Sequence, residues 1–264
     1  METGTDIRLP RADRLAKRLL ITVAVLHVLS LGSNAVYHGL GLHEPFPRFA
    51  WFTIFFNVDK ERNLPTWFSS AVLMLGAWVL WQVGTQVKAA GQRYVRHWRM
   101  LSLVFAALSL DEVSQAHEVA SHSGVLKLGS ASYLSWMVFA APLVLAFAVS
   151  YLRFLAHLPA RTRWLIVAAG CVYVGGAMGM EVVGAFIGRH TDSGELHGGI
   201  PYLHYLLAAS AEELLEMTGA VLLVYAVADH LQRLRTAGPE LDAGAAATPV
   251  QLSRGRRASV GVTR

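Results

Sequence analysis

The chain has 264 residues, 54% of them hydrophobic and 16% charged, with a mean hydropathy of +0.41. So apolar a composition excludes an ordinary soluble domain and fits a membrane protein with several crossings. The net charge of +5 and the pI near 9.6 would suit a nucleic-acid binder, but the placement of the basic residues excludes that partner and reads as a topology signal.

Residues 1–18 form a polar, basic arm on the cytoplasmic side. A membrane-crossing helix needs roughly 20 mostly apolar residues. Six runs qualify: 19–40, 66–87, 99–118, 133–156, 164–188 and 201–230. The first is longer than a signal-peptide core and reads as an uncleaved span, while Asp6 and Asp13 interrupt the basic start that a transit peptide would need. Between the first two runs, 41–65 is a loop containing PRFAWFTIFFNV, too short to cross and better suited to the interface or a re-entrant turn. Within it, Asn57, Asp59 and Glu61 alternate as turn residues; the glycine and distal glutamate of a calcium loop are missing. Pro65 suits the first turn of the second span. The short inside loops at 88–98 and 157–163 predict antiparallel helix hairpins.

The fifth run, LIVAAGCVYVGGAMGMEVVGAFIG, holds two GxxxG pairs, Gly175 with Gly179 and Gly184 with Gly188, at the spacing that lets helices approach closely in lipid. It also holds the only cysteine, Cys171, so neither an intrachain disulfide nor a thiolate metal cluster is expected. After 236 the chain is rich in Ala, Gly, Thr and Arg, with Pro239 and Pro249, and is expected to be a disordered basic tail. With the amino terminus in the cytoplasm, 18 of the 23 Lys and Arg fall inside, and only Arg48, Lys60, Arg62, Lys127 and Arg189 outside. The expected fold is all-α: a polytopic bundle of about six transmembrane helices spanning 19–235, both termini cytoplasmic, in a bacterial inner (plasma) membrane.

Three of the six runs carry carboxylates: Asp111 and Glu112 in the third, Glu181 in the fifth, and Glu212, Glu213 and Glu216 in the sixth. A charge at lipid depth costs a few kcal/mol or more, so such residues face a polar interior, a partner or a ligand. In the third run Asp111, Gln115, Glu118 and His122 share one helical stripe; in the sixth, Glu216 neighbours both Glu212 and Glu213. Counting about 1.5 Å per residue from the outer ends puts His38, His117, Glu118, Glu181 and His204 within about 5 Å of the surface. Asp111 and Glu112 then lie roughly 10 Å in, and Glu212 to Glu216 roughly 16–22 Å, so that the acids form a funnel open to the outside. Seven of the 11 histidines, with His43, His122, His190 and His197 among them, fall on that side. Carboxylate with imidazole is the donor set of zinc and of non-haem iron or manganese, although the Glu-x-x-His pairs of di-metal bundles are missing. A haem would need two buried facing histidines, and only His27 is deep enough on the inner side. There is no P-loop, dinucleotide fingerprint, nucleophile elbow or His-Glu-x-x-His.

SNAVYH at 33–38 resembles a signature of the haemolysin III and adiponectin-receptor superfamily, whose members resemble zinc-dependent membrane hydrolases; the resemblance implies His38 as a ligand. That superfamily's late histidine pair is absent here, and six spans depart from its seven. The whole-chain pattern of SLDEVSQAHE, GMEVVG and EELLEM resembles uncharacterised bacterial multi-pass membrane proteins, which implies topology and no activity.

These features predict a metal-dependent membrane enzyme acting on a lipid-like or small hydrophobic substrate. Glu212, Glu213, Asp111 and Glu112 are the candidate catalytic acids. Glu181, Glu216, Glu118, His117, His204 and His38 are the candidate ligands of a divalent metal (zinc, or iron/manganese). Two alternatives use the same acids. One is a proton- or cation-coupled transporter, against which stands the lack of an internal repeat. The other is a metal-free acid catalyst.

Overall fold

The computed structural model describes residues 10–39, 47–116, 135–180, 182–183 and 199–246. These form α1 (Ala12–Gly39), α2 (Pro47–Phe56), α3 (Leu64–Ala89), α4 (Val95–Ser114), α5 (Ser135–His157), α6 (Ala160–Val174) running on into a π-helical turn (Gly175–Met180), and α7 (Gly199–Ala246). There is no strand among the described residues. Five helices are long and apolar enough to cross a membrane: α1, α3, α5, α6 with its π-turn, and α7. The third expected span corresponds to α4, which is 20 residues long but carries Arg96, Arg99, Asp111 and Glu112 and is less apolar than the rest. Two boundaries move outward. Helix α1 begins at Ala12, so Arg14, Lys17 and Arg18 of the expected arm are helical, and α7 continues past 236 to Ala246.

The hairpin of α3 and α4 is built from small and hydroxylated residues. Asn63 caps α3, its Oδ1 accepting from the Thr66 amide at 3.2 Å, and Pro65 sits in the first turn. Past its other end Gly91 takes φ +64°, a conformation that glycine adopts without strain and that stops the helix. The chain then returns as α4. Ser70 donates to the Ser109 carbonyl at 2.8 Å, Ser109 to the Ser70 carbonyl at 2.9 Å, and Ser102 to the Ala77 carbonyl at 2.7 Å. Such bonds replace the water that lipid cannot supply.

Helix α7 is the hub, packing on α1, α3 and α6. Val23, Val72, Leu73, Met217, Val221 and Val224 fill one buried cluster; Val79, Leu80, Val83, Trp98, Phe154 and Val227 fill the next. Helix α5 joins the bundle near its C-terminal end, where Phe154 meets Trp98 edge-on at 4.9 Å and the Tyr151 hydroxyl donates to the His97 carbonyl at 2.8 Å. Its other half turns Phe139 and Leu143 outward. Gln232 ties α7 to the start of α1, donating to the Pro10 carbonyl at 2.9 Å.

The two ends of the bundle differ in charge. Among the described residues, Arg48, Lys60 and Arg62 are the only Lys or Arg at the end formed by α2 and the 57–63 loop. Every other described Lys and Arg is at the opposite end, called the basic end below.

Candidate carboxylate site

The roof of the site is the loop between α2 and α3. Asn57, Val58 and Asn63 are buried there by a knot of bonds: Asn63 Nδ2 donates to the Asn57 carbonyl at 2.6 Å and the Ile54 carbonyl at 3.1 Å, and the Val58 amide donates to Ser30 Oγ at 3.1 Å. The Asp59 amide donates to Asn57 Oδ1 at 3.0 Å, which is the expected turn chemistry. Its carboxylate does more. The Tyr205 hydroxyl donates to Asp59 Oδ1 at 2.9 Å, tying the loop to α7, and Lys60 Nζ lies 3.7 Å from Asp59 Oδ2. Beside the loop Arg62 donates to Gln115 Oε1 at 3.1 Å.

Helix register brings the acids to one level. Ser70 opposite Ser109 sets Asp111 and Glu112 beside the first turn of α3. Gly76 faces Leu223 and Val224, and the same count toward the α2 end puts Glu213 and Glu216 beside that first turn as well. From the third side, a Cβ on Gly176 would stand 2.9 Å from the Glu212 carbonyl and 3.0 Å from Glu216 Cγ, so the π-turn touches α7 at the acids. π-turns recur at functional sites because they re-aim a helix face. The funnel expected from sequence therefore collapses into a single layer. Counting inward from the end of α7 misplaced its acids because α7 overshoots α3 and α4 at this end.

Tyr173 stands among these acids. Glu216, Glu112, Glu213 and Asp111 all interact with it electrostatically, and Glu216, Glu112, Glu212 and Asp59 interact with Glu213. Among the described residues the nearby cations, Lys60 and Arg62, are at the rim. Repulsion among partly desolvated carboxylates is offset by neighbouring side chains, by shared protons or by a bound cation.

The expected site residues divide accordingly. Asp111, Glu112, Glu212, Glu213 and Glu216 are brought together. His204 is exposed and lies about 18 Å farther along α7 than Glu216, so those two candidate ligands do not meet. Glu181, Glu118 and His117, and the side chain of His38, lie outside the described residues. Among the described residues no three or more His, Cys, Asp or Glu are grouped to hold a metal ion. Of SNAVYH, Ser33 and Asn34 bond to the Ser30 carbonyl within α1 at 3.1 and 2.9 Å, and Tyr37 stacks on Phe49 at 6.3 Å.

Sequence reasoning missed Asp59, Tyr173 and Tyr205. Asp59 read as a turn residue, and the two tyrosines were not singled out within their apolar runs. A signal was present: a tyrosine hydroxyl in an apolar run needs a partner, and carboxylates are the natural ones. The expected glycine contact also shifts. Gly175 and Gly179 face open space, and the close contacts are made by Gly176 against Glu212, Leu215 and Glu216 and by Gly219 of α7 against Tyr173; Gly184 and Gly188 lie outside the described residues.

The chain belongs to the family described as "Domain of unknown function (DUF8692)", which matches residues 18–231. No curated protein and no solved structure matches it. The matched region takes in α3, α4, α6 and every acid of the layer.

Proposed function

We propose that this member of the DUF8692 family is a membrane-embedded enzyme that acts on a lipid-like substrate at the carboxylate layer, reached from the outer face of the inner (plasma) membrane. The observation that carries the reading is the gathering of Asp111, Glu112, Glu212, Glu213 and Glu216 from two helices around Tyr173, over a buried apolar core. Isolated headgroup-level acids would have no reason to converge. Six crossings and cytoplasmic termini accompany the proposal. Helix α4 lies alongside α3 for its whole length, and the basic end corresponds to the cytoplasm by the positive-inside rule.

A neutral carboxyl in the layer is a general acid, and an ionised neighbour is a general base for water. Glu213 and Glu216, one turn apart, are suited to exchange those roles, and Tyr173 feels the charge of acids from both α4 and α7. The mouth favours an apolar substrate: α2 exposes Trp51, Phe52, Ile54 and Phe55 beside it, the amphipathic aromatic surface that rests among headgroups. The well-packed core beneath the acids supports an enzyme over a carrier.

The described residues alone do not fit a metal centre, and the acid–base roles fall to the side chains themselves. The metal-dependent form of the proposal rests on Glu181, Glu118, His117 and His38. Elemental analysis of purified protein separates the two forms: near-stoichiometric zinc, iron or manganese supports the metal-dependent one, and its lack supports acid catalysis by side chains. The enzyme reading itself is tested by incubating the protein with membrane lipid extract and following products by mass spectrometry. Turnover that falls about a hundredfold or more in Glu213→Gln and Glu216→Gln is the expected result. Cargo flux into proteoliposomes without lipid turnover would replace the enzyme with a cation-coupled carrier.

A further inference from the structure

We propose that the groove between α1 and α7 at the basic end is a binding site for an anionic glycerophospholipid of the adjoining leaflet. The groove encloses about 530 Å³. Leu20, Ile21, Ala24, Val221 and Leu222 form its walls, and Asp13, Lys17 and Tyr225 its rim. The walls are made of small and aliphatic side chains that face lipid and leave room for a hydrocarbon chain.

The rim selects the headgroup. Asp13 already pairs with Arg11 at 3.2 Å, while Lys17 forms no ion pair among the described residues. On the other side Arg161 donates to the Tyr225 hydroxyl at 2.7 Å, so a guanidinium abuts the groove. Asp229 is shared by Arg161 at 3.2 Å and Arg233 at 2.9 Å, one carboxylate against two guanidinium groups. Both sides of the rim therefore keep a surplus positive charge, separated by an apolar slot. Basic pockets between transmembrane helices at this depth suit phosphate headgroups, and the slot takes the tail. A zwitterionic lipid would fill the slot equally well but gain nothing from the surplus charge.

The test uses the full chain in mixed micelles of equal parts phosphatidylglycerol and phosphatidylcholine, with retained lipid counted by native mass spectrometry. Wild-type protein should retain phosphatidylglycerol in preference. Lys17→Gln should lower that retention about fivefold, the weight of one interfacial cation. Ala24→Trp, which fills the slot, should remove retained lipid of both kinds. Lys17 is exposed, so its variant keeps the test decisive should Ala24→Trp fail to fold. Equal retention of the two lipids, or retention indifferent to Lys17→Gln, would overturn the proposal. Neither variant touches the carboxylate layer, so the outcome is independent of the enzyme reading.

Discussion

Gly219 faces the backbone of Tyr173 so closely that a Cβ on it would stand 2.6 Å from the Tyr173 nitrogen and 2.8 Å from its Cβ. No rotamer relieves a contact with backbone. Gly219→Ala must push α6 away from α7 and should cost about 1–3 kcal/mol. Gly179→Ala meets open space and should stay within about 0.5 kcal/mol of wild type. Thermal unfolding in detergent reads both; equal midpoints would show that α6 does not press on α7 here.

On the proposed reading, the crowded acids serve function at a cost in stability. Glu213→Gln removes repulsion from Glu216, Glu112, Glu212 and Asp59, and should stabilise the protein by roughly 0.5–2 kcal/mol while removing turnover. The sign carries information. A resident cation would make the same substitution destabilising, and treatment with EDTA would then erase the difference. The unfolding midpoint with and without EDTA distinguishes the cases.

Asn63 holds both the cap of α3 and the loop that carries Asp59. Asn63→Ala loses the bond from the Thr66 amide and the two side-chain bonds to the Asn57 and Ile54 carbonyls, which keep only their backbone donors, for about 1–3 kcal/mol. Hydrogen exchange should rise across 57–63 and at the start of α3. Exchange confined to residue 63 would mean the knot is held by its other bonds.

Topology is open to single-cysteine labelling in a Cys171→Ser background. Lys60→Cys and Ala116→Cys should react with a membrane-impermeant maleimide from outside, and Gln92→Cys only after permeabilisation. Gln92 and Ala116 flank α4, so labelling of both from one side would show that α4 does not cross.

Much of the architecture was legible before any coordinates, because a long apolar run in water has few alternatives to a crossing helix. The acids were legible for the same reason: Glu213 stands out between LLAAS and MTGAVLLVYAV. Their common level was not. Depth counted from an end assumes that helices end together, and α7 overshoots its neighbours. The glycine contact was off by one residue because spacing alone does not say which face of α6 meets α7, and it is Gly176 rather than Gly175 that meets Glu216. Asp59 escaped notice because its partner, Tyr205, is 146 positions away in the chain, beyond any local pattern.

The tight aliphatic packing of Leu73, Val79, Leu80, Val221 and Val224 gives the acid layer a floor. On the proposed reading, a layer closed below by this floor exchanges only with the side it faces, so that reactant and product would share a doorway and an imposed voltage should drive no current across the bundle.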